Sequence, residues 1–135
     1  MREILFRGKR IDNGDFVFGM PWIFEDHACI CPWDKGMCKY DTGYYPVPVI
    51  PETVGQYTGL TDKNGKRIFE GDIVKARQER NLDECRVGYE NGAFVLYPQN
   101  GKIYERTLWE YWYNDWDVEV IGNIHDSPEK EKGRG

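Results

Sequence analysis

Three of the four Asn-Gly pairs, at 13–14, 64–65 and 91–92, each lie between runs of strand-forming residues. They restrict the chain more than any other feature. A two-residue Asn-Gly turn suits antiparallel hairpins, because both central positions of a type I′ turn need positive φ. The middle pair sits in the stretch around which the chain is organised, VGQYTGLTDKNGKRIFEGDIVK, residues 54–75. Val54, Gln56 and Thr58 alternate with Gly55, Tyr57 and Gly59, the two-residue period of a strand. Arg67-Ile68-Phe69 forms the return strand, Glu70-Gly71-Asp72 turns the chain again, and Ile73-Val74-Lys75 starts a third strand. Short, strongly bent strands of this kind predict a small barrel.

Taken in order, Glu3–Arg7 reads as a strand and Phe16–Gly19 as its return across the first Asn-Gly turn. Residues 22–31 predict a further strand pair around Glu25-Asp26. Residues 32–52 hold Pro32, Gly36, Gly43, Pro46, Pro48 and Pro51 and read as loop. ARQERNLDE, after Lys75, is polar and reads as a loop or a short helix. Arg86–Glu90 and Ala93–Tyr97 flank the third Asn-Gly pair as a hairpin. In 109–116, Trp109, Trp112, Tyr113 and Trp116 share one helical face while Trp109, Tyr111 and Tyr113 share one strand face, and a short irregular or helical turn covering a barrel end is expected. Val118–Gly122 closes the fold, and the charged tail has no apolar anchor. The expected organisation is all-β: an N-terminal hairpin layer with a proline-rich loop over 1–52, a barrel over 53–127, and a disordered tail over 128–135.

The string VGQYTGLTDKNGKRIFEGDIV resembles the signature of the YopX-like family of prophage proteins. The opening Phe6-Arg7-Gly8-Lys9-Arg10, with Gly14 and Phe16–Gly19, fits the same family, as does the close, Val118 to Glu129. The resemblance spans about residues 4–129; residues 25–45 and 77–117 add little to it. It implies an all-β fold of SH3-like barrel character and a temperate-phage setting, and it supplies no catalytic residues.

A chain of 135 residues buries one modest core or two small subdomains. Its five Trp, nine Tyr and six Phe exceed what such a core can hide. No apolar run approaches the ~18–20 residues of a membrane span, and MREILFRGKR lacks a signal-peptide core. A cytoplasmic chain with four reduced cysteines is therefore expected. Net charge is −5, which argues against general coating of nucleic acid. Basic residues nevertheless concentrate in two places. Residues 1–10 carry four against one acidic, and residues 63–80 carry six against three. A solvated strand face is the ordinary explanation.

Candidate chemistry is sparse. His27, Cys29, Cys31 and Cys38 are zinc-ligand types, but their spacing lacks a Cys-x-x-Cys pair, and no metal or other cofactor is expected. Cys85 stands alone, and a nucleophilic pair with His27 or His125 would depend wholly on the fold. Ser127, the only serine, lies in a tail turn. Glu70 and Asp72 flank Gly71, where a turn with Asp72 bonding backbone amides is the simpler reading. No glycine-rich loop precedes a helix. These absences predict a non-enzyme with no catalytic residues. The surplus aromatics predict an interaction or assembly module that forms a homo-oligomer or binds an unidentified phage or host protein. Its candidate interface is Tyr44, Tyr45, Trp109, Trp112 and Trp116. The alternative is a nucleic-acid-binding accessory protein using Arg2, Arg7, Lys9, Arg10, Lys63, Lys66 and Arg67.

Overall fold

The computed structural model describes residues 3–32, 46–78, 81–99, 106–114 and 117–126. It is all-β apart from one short helix, and its strands form two antiparallel sheets rather than the expected closed barrel. The chain divides into two compact units, Met1–Tyr57 and Thr58–Gly135.

In the first unit, β1 (Phe6–Lys9), β2 (Phe16–Phe24), β3 (His27–Pro32) and β4 (Val47–Val49) are joined by β5 (Gly55–Thr61), which pairs with β1 and runs on into the second unit. The Asn13-Gly14 turn links β1 to β2. Only Gly14 takes positive φ there, and Asn13 Oδ1 accepts the Asp15 N–H. Glu25, at φ +55, makes the tight turn between β2 and β3 that was expected at Glu25-Asp26. Alternation buries Ala28, Ile30 and Val49 on one face, with Phe6, Val17 and Val54 packed against them.

β4 lies inside the segment read as loop. Proline has no N–H to contribute to a ladder, so the sequence argued against a strand. Pro48 instead uses its carbonyl, which accepts the Ile11 N–H at 3.2 Å. Arg10 bridges Val49, and the Ile50 N–H donates to Lys9 O, so the sheet curls until β4 meets the end of β1. Thr53 is buried in the 3-10 turn Pro51–Thr53. Its Oγ1 accepts the Lys9 N–H and donates to Ile50 O, which satisfies the hydroxyl in both directions.

The second unit opens with the end of β5, followed by β6 (Arg67–Phe69). Its five-stranded sheet has the order β10-β9-β8-β7-β11, from β7 (Asp72–Gln78), β8 (Asn81–Glu90), β9 (Ala93–Pro98), β10 (Arg106–Thr107) and β11 (Asp117–Asn123). The polar stretch read as loop or helix is strand on both sides, since β7 reaches Gln78 and β8 starts at Asn81. Lys75 and Arg77 lie on the outward face. The inward positions Val74, Ala76, Cys85 and Val87 join Ile68, Leu96, Leu108, Tyr111 and Val118 in one core cluster. Each buried aliphatic side chain contributes about 1.5–3 kcal/mol. At the third Asn-Gly pair both residues take positive φ, +53 at Asn91 and +83 at Gly92, and Glu90 faces Ala93 as the sequence implies.

The one α-helix among the described residues, α1, spans Leu108–Tyr113. Six residues form no stable helix alone. Here Thr107 Oγ1 accepts the Glu110 N–H while Glu110 Oε1 accepts the Thr107 N–H, a reciprocal cap. Arg106 adds an ion pair to Glu110 at 3.1 Å, and Leu108 and Tyr111 anchor the helix in the core.

Candidate interaction surface

Because Leu108 and Tyr111 face inward, the helical period turns Trp109, Trp112 and Tyr113 outward. They are 55%, 61% and 67% exposed. Burial is the ordinary fate of tryptophan, and these two escape it. Trp109 and Tyr113, one turn apart, stack at 4.9 Å between ring centroids and 22° between planes. Trp112 stands on the rim of a cleft of about 180 Å³ floored by Leu60, Ile68, Leu108 and Val118, with Asp117 also lining it. The third tryptophan of the expected interface, Trp116, and the second patch, Tyr44 and Tyr45, lie outside the described residues.

Asp62 lines the same cleft and is nearly buried. Its Oδ1 accepts the N–H groups of Asn64 and Lys66, both at 2.9 Å, and its Oδ2 accepts the Val120 N–H. Burial alone would raise this carboxyl's pKa. The N–H groups of Val120, Lys66 and Asn64, helped by the Lys66 charge, outweigh burial and hold the pKa below the ordinary carboxylate value. Among the residues of this turn only Gly65 takes positive φ, so the carboxylate replaces the expected type I′ geometry as the organiser.

The basic residues proposed for nucleic acid are largely engaged. Arg7 is only 6% exposed, and its guanidinium carbon lies 4.3 Å from the Phe16 ring centroid. A buried cation presents nothing to a phosphate, which corrects the expectation for Arg7. Lys9 donates to Gly14 O, and its ammonium sits 4.8 Å from the same ring. Arg10 pairs with Asp12 at 2.8 Å. Their hydrogen bond raises the arginine pKa and lowers that of the aspartate. Lys63 lies 3.6 Å from Glu119; Lys66 is exposed in the turn and Arg67 is exposed at the start of β6. The two basic segments belong to different units, and Arg2 lies outside the described residues.

Of the His27, Cys29, Cys31 and Cys38 set, the first three lie among the described residues. His27 is exposed beside Asp26 at 3.5 Å, and Cys29 is a half-buried free thiol. Cys31 is disulfide-bonded, which corrects the expectation of four reduced cysteines. Cys38 and Ser127 lie outside the described residues. Among the described residues, no three His, Cys, Asp or Glu side chains cluster in a metal-binding arrangement. Cys85 is a core thiol. Asp72 Oδ2 accepts the Phe69 N–H at 2.7 Å, the turn-stabilising role read for it, while the Gly71 N–H donates to Val87 O.

One surface went unnoticed in the sequence. On β2, Phe18, Met20, Trp22 and Phe24 alternate along the face opposite the first unit's core, and all four are exposed. Their register places Cys31, Cys29 and His27 beside Met20, Trp22 and Phe24. The strict alternation at 18, 20, 22 and 24 was the available signal. It was obscured because the return strand reads as ending at Gly19, short of Pro21.

A family model described as YopX protein matches residues 8–130. The chain belongs to the YopX family. No curated protein matches the sequence. Among solved structures, this YopX-family chain resembles the crystal structure of protein EF1440 from Enterococcus faecalis. The two share 23% identity and a TM-score of 0.54, and the match covers 96% of this chain and 98% of that one. At that identity the likeness is one of fold. Among the described residues, no helix is long and apolar enough to cross a membrane.

Proposed function

We infer that this YopX-family protein works by binding rather than by catalysis. It is an interaction or assembly module of a temperate-phage setting that self-associates through α1. One observation carries the reading: an aromatic surface of Trp109, Trp112 and Tyr113 on a helix fixed by its cap and by two buried anchors. A rigid, exposed aromatic cluster is the usual composition of an interface centre. Each ring offers about 150–250 Å² in all. The three therefore supply the centre of a contact, and neighbouring surface completes the roughly 800 Å² per partner of a stable interface.

Light scattering on size-fractionated protein tests this. The wild type is expected to be an oligomer at micromolar concentration. A Trp109→Ser, Trp112→Ser double variant is expected to have lower mass with unchanged β signal in circular dichroism. A monomeric wild type at that concentration would sink the self-association. The nucleic-acid alternative gains no support from the engaged Arg7, Lys9, Arg10 and Lys63. Salt-sensitive DNA or RNA binding, abolished by neutralising Lys66 and Arg67, would restore it.

A further inference from the structure

An asparagine followed by glycine carries its own chemistry. The next residue's backbone nitrogen can attack the carboxamide carbon, and glycine has no side chain to hinder the approach. Asn13, Asn64 and Asn91 are all exposed, so access of water does not separate the three turns. Their hydrogen bonds do. The Gly14 N–H donates to Arg10 O at 2.9 Å, and Asn13 Oδ1 accepts the Asp15 N–H, so both reacting groups are held. The Gly65 N–H donates to Asp62 O at 3.0 Å, and the Asp62 carboxylate beside it opposes the negative charge that the attacking nitrogen must develop. At the β8–β9 turn, the Gly92 N–H and the Asn91 carboxamide have no hydrogen-bond partner among the described residues. The type I′ loop explains this. Its ladder bonds belong to Glu90 and Ala93, and its two central residues point to solvent.

We propose that Asn91 is a self-modifying site, which the folded protein converts through a succinimide to aspartate and isoaspartate while it protects Asn13 and Asn64. The Gly92 nitrogen gives its proton to solvent hydroxide and bonds Asn91 Cγ, and the carboxamide nitrogen leaves as ammonia. Water then opens the five-membered ring, at Cγ to give isoaspartate's partner product aspartate being formed when the main-chain nitrogen leaves Cγ, and isoaspartate when it leaves the main-chain carbonyl. One water is consumed and one ammonia released, with no oxidant, reductant or other co-reactant. Isoaspartate adds one carbon to the backbone of a two-residue loop whose length sets the Glu90–Ala93 register. It also places a new carboxylate next to Glu90. The modified tip therefore loosens the bond from the Tyr97 hydroxyl to Glu90, 2.9 Å long, and the edge-to-face contact of Tyr89 with Phe94. The proposal is independent of the reading of α1 as an interface.

The test incubates the intact, folded protein in mildly alkaline buffer and follows each asparagine by peptide mapping and mass spectrometry. Fragment ions separate Asn91 from Asn100, whose Asn-Gly pair lies outside the described residues. Aspartate and isoaspartate are expected to accumulate at 91 about tenfold faster than at 13 or 64, the factor set by one hydrogen bond that must first break. The same incubation in concentrated urea removes the protecting bonds, and the three rates are expected to converge. Conversion at 13 or 64 as fast as at 91 in the folded protein would overturn the proposal. So would a 91-to-64 ratio that urea leaves unchanged, because local sequence and not the fold would then set it. Absence of conversion at 91 while the unfolded chain converts there would also overturn it.

Discussion

The Asp62 carboxylate accepts the backbone N–H of Val120 at 3.0 Å, from 58 residues earlier in the chain. The same carboxylate holds the turn between β5 and β6 through Asn64 and Lys66, so one side chain ties a hairpin to the last strand. Asp62→Ala leaves three N–H donors without this acceptor. With about 1–3 kcal/mol for each group that stays buried and unsatisfied, a loss of about 2–3 kcal/mol is expected. Urea unfolding at neutral pH measures it, and a change below about 0.5 kcal/mol would refute the role.

The acid limb of stability follows from the same residue. Its pKa is lower in the folded chain than in the unfolded one, where a carboxyl titrates near ~3.9. The unfolded state therefore takes up the proton first as pH falls. The Asp62 contribution is complete above that pH and is lost as pH drops through the lower folded value. Midpoints of urea unfolding measured between neutral and strongly acidic pH should decline less in Asp62→Asn than in the wild type. Parallel declines would show that other carboxylates control the limb.

Gly88 is a site of close approach. A Cβ there would lie 2.4 Å from Tyr97 Cε2 and 3.0 Å from Cδ2. The Tyr97 ring is buried, carries Arg86 4.5 Å from its centroid, and donates its hydroxyl hydrogen to Glu90. Gly88→Ala is expected to displace the ring and cost about 1–3 kcal/mol. Gly88→Ala combined with Tyr97→Ala should cost less than the sum of the two singles, because the clash is removed. Additive losses in that cycle would refute the contact.

Gly65 differs, because open space surrounds its Cα and only its φ of +83° resists substitution. Gly65→Val is expected to destabilise by about 1–2 kcal/mol through backbone strain alone. Gly65→Asn, which tolerates the left-handed region, should recover most of it. Equal stability of the valine and asparagine variants in thermal unfolding would remove strain as the cause.

Thr107 tests whether the aromatic surface depends on helix geometry. Thr107→Ala removes the cap of α1 at a cost of about 1 kcal/mol. It is expected to weaken self-association without touching an exposed aromatic ring. A concentration series by light scattering would show a shift toward smaller species. An unchanged series would mean that the rings act independently of the cap.

What could be read from sequence was local. Asn91-Gly92 and Gly14 announced their turns because φ is a property of one residue and its neighbours. The Asp62–Val120 bond was invisible because nothing near Asp62 encodes a partner 58 residues away; the turn chemistry of Asp62 masked its longer reach. Ala76–Gln78 and Asn81–Glu84 hid as loop because an exposed strand face is as polar as a loop, and only the pairing with β11 and across the hairpin separates them. At the candidate surface, the helical spacing of Trp109, Trp112 and Tyr113 was legible. That Asp117 shares a cleft with Trp112 required the sheet.

β11 is the outermost strand of its sheet, and an open strand edge templates the pairing of further chains. Here two of its outward backbone groups are occupied: the Val118 carbonyl accepts the Lys63 N–H, and the Val120 N–H meets Asp62. The hairpin turn works as a plug. It denies an incoming strand the hydrogen bonds that would extend the sheet from one molecule to the next. At this edge the turn therefore checks the backbone ladders that would otherwise grow without limit. An Asp62 variant would then do more than unfold sooner, because its unplugged edge would seed fibrils from molecules that are still folded.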